Sequence, residues 1–303
     1  MKKVGFIGLG VMGMPMTINL VRNGYQVFGF DQNIRVAEEA SRQGVIMCAS
    51  VEELAKATNL VLLCLPSENA VWETVMGDCG LCKAWGTKKA KIIDHSTTRP
   101  EFSIDLSNKV KEMHQGILFF DAPLSGGGKG AAEKTLTVMV GASEDEVIEE
   151  KEVFNAYGRN IFYLGSRGRG QAVKLCQNLI FMCTFSGVME SLVLGESMGI
   201  AHKELLEVMS TCIAPNNVLA FMSPAVLSEN FKNDSNMIKL ISKDIGFVKG
   251  LAEKTGANIP VGKKVQELIE NAVKNGYGGY DLFYWHKLLQ QRVVGDPELF
   301  CSE

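Results

Sequence analysis

Lys174 and Asn178, four positions apart, share one face of a helical stretch whose other residues are mostly apolar. Polar side chains stacked on such a helix need a reason. The ordinary one is a lysine near a junction that simply reaches water. The chemical one is proton transfer, because a carbonyl carbon that accepts a hydride needs a proton on its oxygen. Lysine can supply it where the surroundings favour the neutral amine. A second segment, Asp121-Ala-Pro-Leu-Ser125-Gly126-Gly127-Gly128, follows an apolar run. Its glycines can present backbone N–H groups to a carboxylate, with the Ser125 hydroxyl beside them. An ordinary glycine-rich loop has the same composition.

A third segment, Gly8-Leu9-Gly10-Val11-Met12-Gly13, stands directly after the apolar run Val4 to Ile7 and before a helix with Pro15 in its first turn. A glycine triplet so placed lets a pyrophosphate approach the backbone, with its charge at the helix N-terminus. The alternative is a packing turn without a ligand. The next apolar run ends in Phe30-Asp31. A carboxylate there bonds the adenosine ribose hydroxyls and repels a 2′-phosphate, which favours NAD over NADP. Arg35 keeps the NADP alternative open, since an arginine nearby can hold that phosphate.

These segments need a scaffold. Val4 to Ile7, Gln26 to Phe30, Leu60 to Leu65 and Ile92 to Asp94 read as buried strands, with segments of helical length between them, such as Val51 to Ala57 and Pro100 to Gln115. Leu118 to Ala122, Thr135 to Val140 and Ile161 to Leu164 add further strands. Alternating strand and helix indicates an α/β fold of the Rossmann type, a parallel sheet covered on both faces. Beyond Gly165 strand signals vanish and helical stretches dominate: Gln171 to Met198, Lys203 to Cys212, Met237 to Lys254, Val261 to Asn275 and Tyr280 to Gln291. The expected organisation is a dinucleotide-binding domain over residues 1–164, an all-α domain over 165–291 and a flexible tail over 292–303. The helix from Gln171 is apolar around most of its circumference, so it must be buried in its domain or between subunits of a homodimer or homotetramer.

In a parallel sheet, ligands bind beyond the carboxyl ends of strands. Leu65-Pro66-Ser67 and Asp94-His95-Ser96-Thr97 are therefore placed to touch the nicotinamide half of a dinucleotide. For Ser96 and Thr97 the competing role is capping of the helix near Pro100.

The 303 residues, 46% hydrophobic and 21% charged with formal net charge −3, describe a soluble globular chain with no basic footprint for nucleic acid or a membrane. Its first apolar run is broken by glycines, so it reads as neither signal peptide nor span, and cytoplasmic residence is expected. Eight cysteines suit a reducing compartment; Cys79-Gly-Leu-Cys82 lacks a second pair, so no metal is expected. Of the four histidines, His95, His114, His202 and His286, His95 alone lies near a strand end.

Taken in order, Gly8-Leu-Gly-Val-Met-Gly-Met-Pro-Met16, Asp121-Ala-Pro-Leu-Ser-Gly-Gly127, Gly168-Arg-Gly-Gln-Ala-Val-Lys-Leu-Cys-Gln-Asn178 and Lys243-Asp244 resemble the motifs of the β-hydroxyacid dehydrogenases, over nearly the whole chain. That family includes 3-hydroxyisobutyrate dehydrogenase and tartronate semialdehyde reductase. The resemblance implies an NAD-dependent interconversion of a small 3-hydroxy acid and its semialdehyde. It makes Lys174 the catalytic lysine, with Asn178 assisting. Ser125, Gly126 and Gly127 would hold the substrate's carboxylate or sulfonate side. Leu65, Pro66, Asn69, Thr97 and Lys243 would contact the dinucleotide. An NADP-preferring reductase of semialdehydes or sulfonated aldehydes from the same family and a non-catalytic dinucleotide-binding module are the alternatives. A phosphogluconate dehydrogenase would have a histidine beside the asparagine, where this chain has Gln177, and an imine reductase would replace the lysine. The run Asn233-Asp-Ser-Asn-Met-Ile, the pair Asn216-Asn217 and the stretch Phe283-Tyr284-Trp285-His286 depart from the family pattern and suggest a more polar pocket.

Overall fold

The computed structural model describes residues 2–213, 217–228 and 238–291. The tail from 292 onward, Asn216 and most of the run beginning at Asn233 lie outside them. The chain divides into two compact units, residues 1–174 and 175–303.

The first unit holds nine strands: β1 (Lys3–Ile7), β2 (Gln26–Phe30), β3 (Ile46–Met47), β4 (Leu60–Leu63), β5 (Ala90–Asp94), β6 (Ile117–Asp121), β7 (Leu124–Ser125), β8 (Leu136–Val140) and β9 (Gly158–Tyr163). Between them run α1 (Gly13–Arg22), α2 (Ile34–Arg42), α3 (Val51–Ala57), α4 (Glu68–Met76), α5 (Leu81–Trp85), α6 (Pro100–Met113), α7 (Gly127–Ala132) and α8 (Lys151–Asn155). Six strands form one parallel sheet in the order β3-β2-β1-β4-β5-β6. Neighbouring residues in these strands feed opposite cores. Phe6, Leu62, Ile93 and Phe120 pack on one face, and Ile7, Leu63, Ile92 and Phe119 on the other. Alternate residues point to alternate faces, and both faces are apolar here, which is why these strands read as unbroken hydrophobic runs.

The strand order turns between β1 and β4, which opens a crevice at their carboxyl ends. The last strands do not extend this sheet. β8 pairs with β9 in parallel and with β7 antiparallel, making a separate three-stranded sheet. Pro123 follows β6 at the break and has no N–H to donate to a ladder.

Among the described residues, every element from α9 (Arg169–Ser197) onward is helical: α10 (His202–Thr211), α11 (Asn217–Ser228), α12 (Ile238–Thr255), α13 (Pro260–Lys274), two 3₁₀ turns and α14 (Trp285–Gln290). The compact units part within α9, after Lys174. The reason is local: the first turn of α9 is fastened to the sheet unit, as described below. Leu175, Met182, Phe185, Met189 and Leu192 face the core of the helical unit. The sequence expects one helix from Tyr280 to Gln291, but Asp281 accepts from the Phe283 amide and the chain makes a 3₁₀ turn before α14. Phe283, Trp285 and His286 are buried packing residues, so their identity serves the core.

Candidate active site

The glycine loop after β1 is shaped by steric need. Gly8 has φ +90°, and a Cβ there would meet the Cys64 carbonyl oxygen at 2.3 Å; one on Gly13 would meet the Gly8 oxygen at 2.0 Å. Gly10 is different. It is exposed, and a Cβ there would meet nothing within 4 Å. That leaves open space beside the N-terminus of α1, where backbone N–H groups and the helix dipole favour an anion. Asp31 closes the site from β2. Its carboxylate accepts from the Leu9 amide at 2.7 Å and the Asn33 amide at 2.8 Å. A carboxylate has about four acceptor positions, so two remain for ribose hydroxyls. Leu9 itself is buried with its amide engaged, so the outward surface of the loop is Gly10, Val11 and Met12. These residues fit a dinucleotide. Arg35 is exposed in the first turn of α2, whose N-terminus is capped by Asn33.

The segments after β4 and β5 are tied together. Ser96 Oγ accepts from the Leu65 amide at 2.8 Å, and the Ser96 amide donates to Asp94 at 2.9 Å. Ser96 therefore does not cap α6, whose N-cap residue is Arg99 with no side-chain cap. Leu65 and Thr97 are half-buried, while Pro66 and Asn69 are exposed, and Ser67 caps α4.

His95 faces inward. Nδ1 donates to the Ala122 carbonyl at 2.6 Å, since a carbonyl only accepts; Nε2 is then the acceptor and takes the Tyr157 hydroxyl proton at 2.9 Å. Both nitrogens are engaged in the interior, away from any substrate. Burial holds the imidazole pKa down at about 4. A folded pKa below the unfolded value of about 6.5 means the unfolded chain takes up a proton that the folded chain refuses. Its contribution is complete above pH ~6.5 and declines by about 1.4 kcal/mol per pH unit as pH falls toward the folded pKa. In denaturant titrations, the stability gap between the protein and His95→Gln should narrow over that window. A gap independent of pH would refute the assignment.

Ser125 ends β7 half-buried, and Gly126 and Gly127 follow with φ of +132° and +62°, values that only glycine adopts freely. A side chain on Gly128 would meet Val11 Cγ1 at 3.1 Å, so the two glycine loops lie against each other.

Asp121, at the end of β6, is fully buried, and its carboxylate accepts from the amides of Gly168 at 2.7 Å and Gln171 at 3.0 Å. It thus caps α9 from a distant strand. Burial raises its pKa, and the two amides oppose that rise. Gly170 permits the close approach, because a Cβ there would meet the Met139 carbonyl oxygen at 2.2 Å. Lys174 projects from the next turn, half-buried. In the helical unit, Asn178 Nδ2 donates to Asp244 at 3.1 Å, and Lys243 Nζ lies 3.4 Å from the same carboxylate.

The structure therefore assembles two groups of the expected residues. Within residues 1–174 it gathers the ends of β1, β4, β5 and β6 with the first turn of α9; within 175–303 it joins Asn178 and Lys243 through Asp244. Asp244 and Asp121 stand in the quoted motifs, yet sequence reasoning gave neither a role. Gln171, a buried polar residue three positions before Lys174, was also passed over.

Residues 3–165 match the model of the NAD binding domain of 6-phosphogluconate dehydrogenase, and residues 168–289 match the NAD-binding segment of NADP-dependent 3-hydroxyisobutyrate dehydrogenase. The chain is 33% identical to 2-(hydroxymethyl)glutarate dehydrogenase of Eubacterium barkeri over 95% of both chains. It is 31% identical to the NAD-dependent L-serine dehydrogenase of Pseudomonas aeruginosa, over 95% of this chain and 98% of that one. Among solved structures, 3-hydroxyisobutyrate dehydrogenase of Mycobacterium tuberculosis with L-serine superposes with a TM-score of 0.81 at 27% identity, covering 96% of this chain and 99% of that one.

Proposed function

Because this chain belongs to the β-hydroxyacid dehydrogenase family, we propose that it interconverts a small 3-hydroxy acid and its semialdehyde, with Lys174 moving the proton. Membership makes it a hydroxyacid dehydrogenase with NAD as cofactor. The observation that supports the finer reading is the placement of Lys174. It stands one turn into α9, just past a turn that Asp121 and Gln171 fasten to the ends of β5 and β6.

When bound, NAD supplies the hydride acceptor. The side chains divide the remaining work. Ser125 with the amides of Gly126 and Gly127 holds the acid group of the substrate, and Lys174 takes the hydroxyl proton on oxidation and returns it on reduction. Leu65, Pro66, Asn69 and Thr97 line the dinucleotide, and within the helical unit Asp244 orients Asn178 through its hydrogen bond.

A panel of 3-hydroxyisobutyrate, L-serine, 2-(hydroxymethyl)glutarate and their sulfonate analogues, followed by NADH formation, tests the substrate class. Turnover is expected on at least one carboxylate. Activity confined to sulfonates, or none at all, would overturn the assignment.

The same proposal includes subunit pairing through α9. Ile180 and Leu194 are 67% and 70% exposed on a helix that also fills a core, and Met198, just past its end, is 76% exposed. Val173, Ile180 and Leu194 fall at multiples of seven, with Gly187 at the position between the last two, so they share one apolar stripe. Sedimentation should find a dimer or tetramer at micromolar concentration. A stable monomer would exclude the stripe as an interface.

A further inference from the structure

Gln171 is completely buried, and it is the polar residue that links the helix of Lys174 to the loop after β5. Its Oε1 accepts from the Thr98 amide at 3.1 Å, and its Nε2 donates to the Ser96 carbonyl at 2.8 Å. Its own amide donates to Asp121. The loop so held is rigid in turn. Thr98 Oγ1 lies 3.1 Å from Ser103 Oγ, and Ser96 Oγ receives the Leu65 amide from the segment after β4. One amide side chain thus joins α9 to the carboxyl ends of β4 and β5, while Asp121 joins it to β6.

Helix geometry gives that link a direction. Residues three apart differ by about 60° around a helix, so Gln171 and Lys174 lie on adjoining parts of one face. Fixing Gln171 against two backbone groups fixes the rotation of the first turn about its axis. That rotation decides where the Lys174 amine points. Asp121 holds the same turn by two backbone amides, and the Gln171 side chain adds two bonds to a different loop. An apolar residue of the same length would fill the space and leave the Thr98 amide and the Ser96 carbonyl without this partner.

We propose that Gln171 is a positioning residue of the dehydrogenase reaction, setting the Lys174 amine against the loops after β4 and β5 through its paired bonds to Ser96 and Thr98. This rests on the reading of Lys174 as the proton-transfer residue. Displacement of a reacting group by about 1 Å can cost roughly 10²-fold in rate.

The test is a double-mutant cycle in the full chain with NAD and the best substrate. Gln171→Met should lower kcat by about 10- to 10²-fold and change KM for NAD by less than about threefold. In a Lys174→Ala background, the same substitution should lower kcat by less than about threefold more, because no amine is left to misplace. A full additional loss there, or unchanged kcat in Gln171→Met, would overturn the proposal. Lys174→Ala retaining normal turnover would instead overturn the reading on which it rests.

Gln171→Glu guards against a folding defect in the Met variant. A protonated carboxyl can accept from Thr98 and donate to Ser96, whereas the ionised form loses the donor. The kcat of Gln171→Glu relative to the unmodified enzyme should therefore be near unity or climb toward it as pH falls. A ratio that stays low at every pH would count against positioning.

Discussion

Lys174→Ala is expected to lower kcat by about 10²–10⁴-fold, the range that positioned acid–base catalysis supplies. Oxidation of the alcohol requires its hydroxyl proton to leave as the hydride leaves carbon, and water admitted in place of the amine is neither held nor oriented. KM for NAD should change little. The open space at Gly10, the α1 N-terminus and Asp31 are built by β1, β2 and α1, none of which includes Lys174. Lys174→Arg should restore little, since guanidinium keeps its proton at neutral pH. Stopped-flow and steady-state rates on the best substrate of the panel measure both variants. Near-normal turnover in Lys174→Ala would end the assignment of that residue.

The second large effect concerns cofactor choice. A 2′-phosphate at the ribose site would meet the Asp31 carboxylate, and a like-charge contact costs several kcal/mol when desolvated. Asp31 is half-buried, so water screens part of that repulsion, and a preference for NAD of roughly 10²-fold in kcat/KM is expected. The choice of substitution matters because Asp31 also holds the Leu9 amide. Asp31→Ala would loosen the glycine loop and confuse charge with structure. Asp31→Asn keeps an acceptor for Leu9 and removes the charge. It should raise kcat/KM for NADP by at least about tenfold while lowering that for NAD only severalfold. A native preference for NADP would refute this and shift attention to Arg35.

The features legible in the sequence were those with local causes. Unbroken apolar runs mark strands covered on both faces, and the glycine triplet announces a turn in which a side chain at 8 or 13 would clash while Gly10 leaves open space. The second sheet was not legible, because the runs of β8 and β9 look like those of the main sheet and only pairing distinguishes them. β3 was missed as a two-residue edge, and α11 carries Pro224 within it, which weakens any helical reading. At the site, residue types with evident chemistry stood out: Lys174, Ser125 and Asp31. The residues that hold them did not. Gln171 and Asp121 act on backbone groups far away in sequence, and nothing in their neighbours signals those partners. His95, placed beyond a strand end, invited a chemical reading that its inward bonds to Ala122 and Tyr157 remove.

The remote cap on α9 also fixes how much chain the first unit needs. Its nine strands end at Tyr163, but the amides of Gly168 and Gln171 that satisfy the Asp121 carboxylate lie beyond that point. A chain cut at Tyr163 would leave the buried carboxyl group without these two donors, a costly arrangement. The sheet unit therefore borrows, to finish the end of β6, the same turn that carries its lysine.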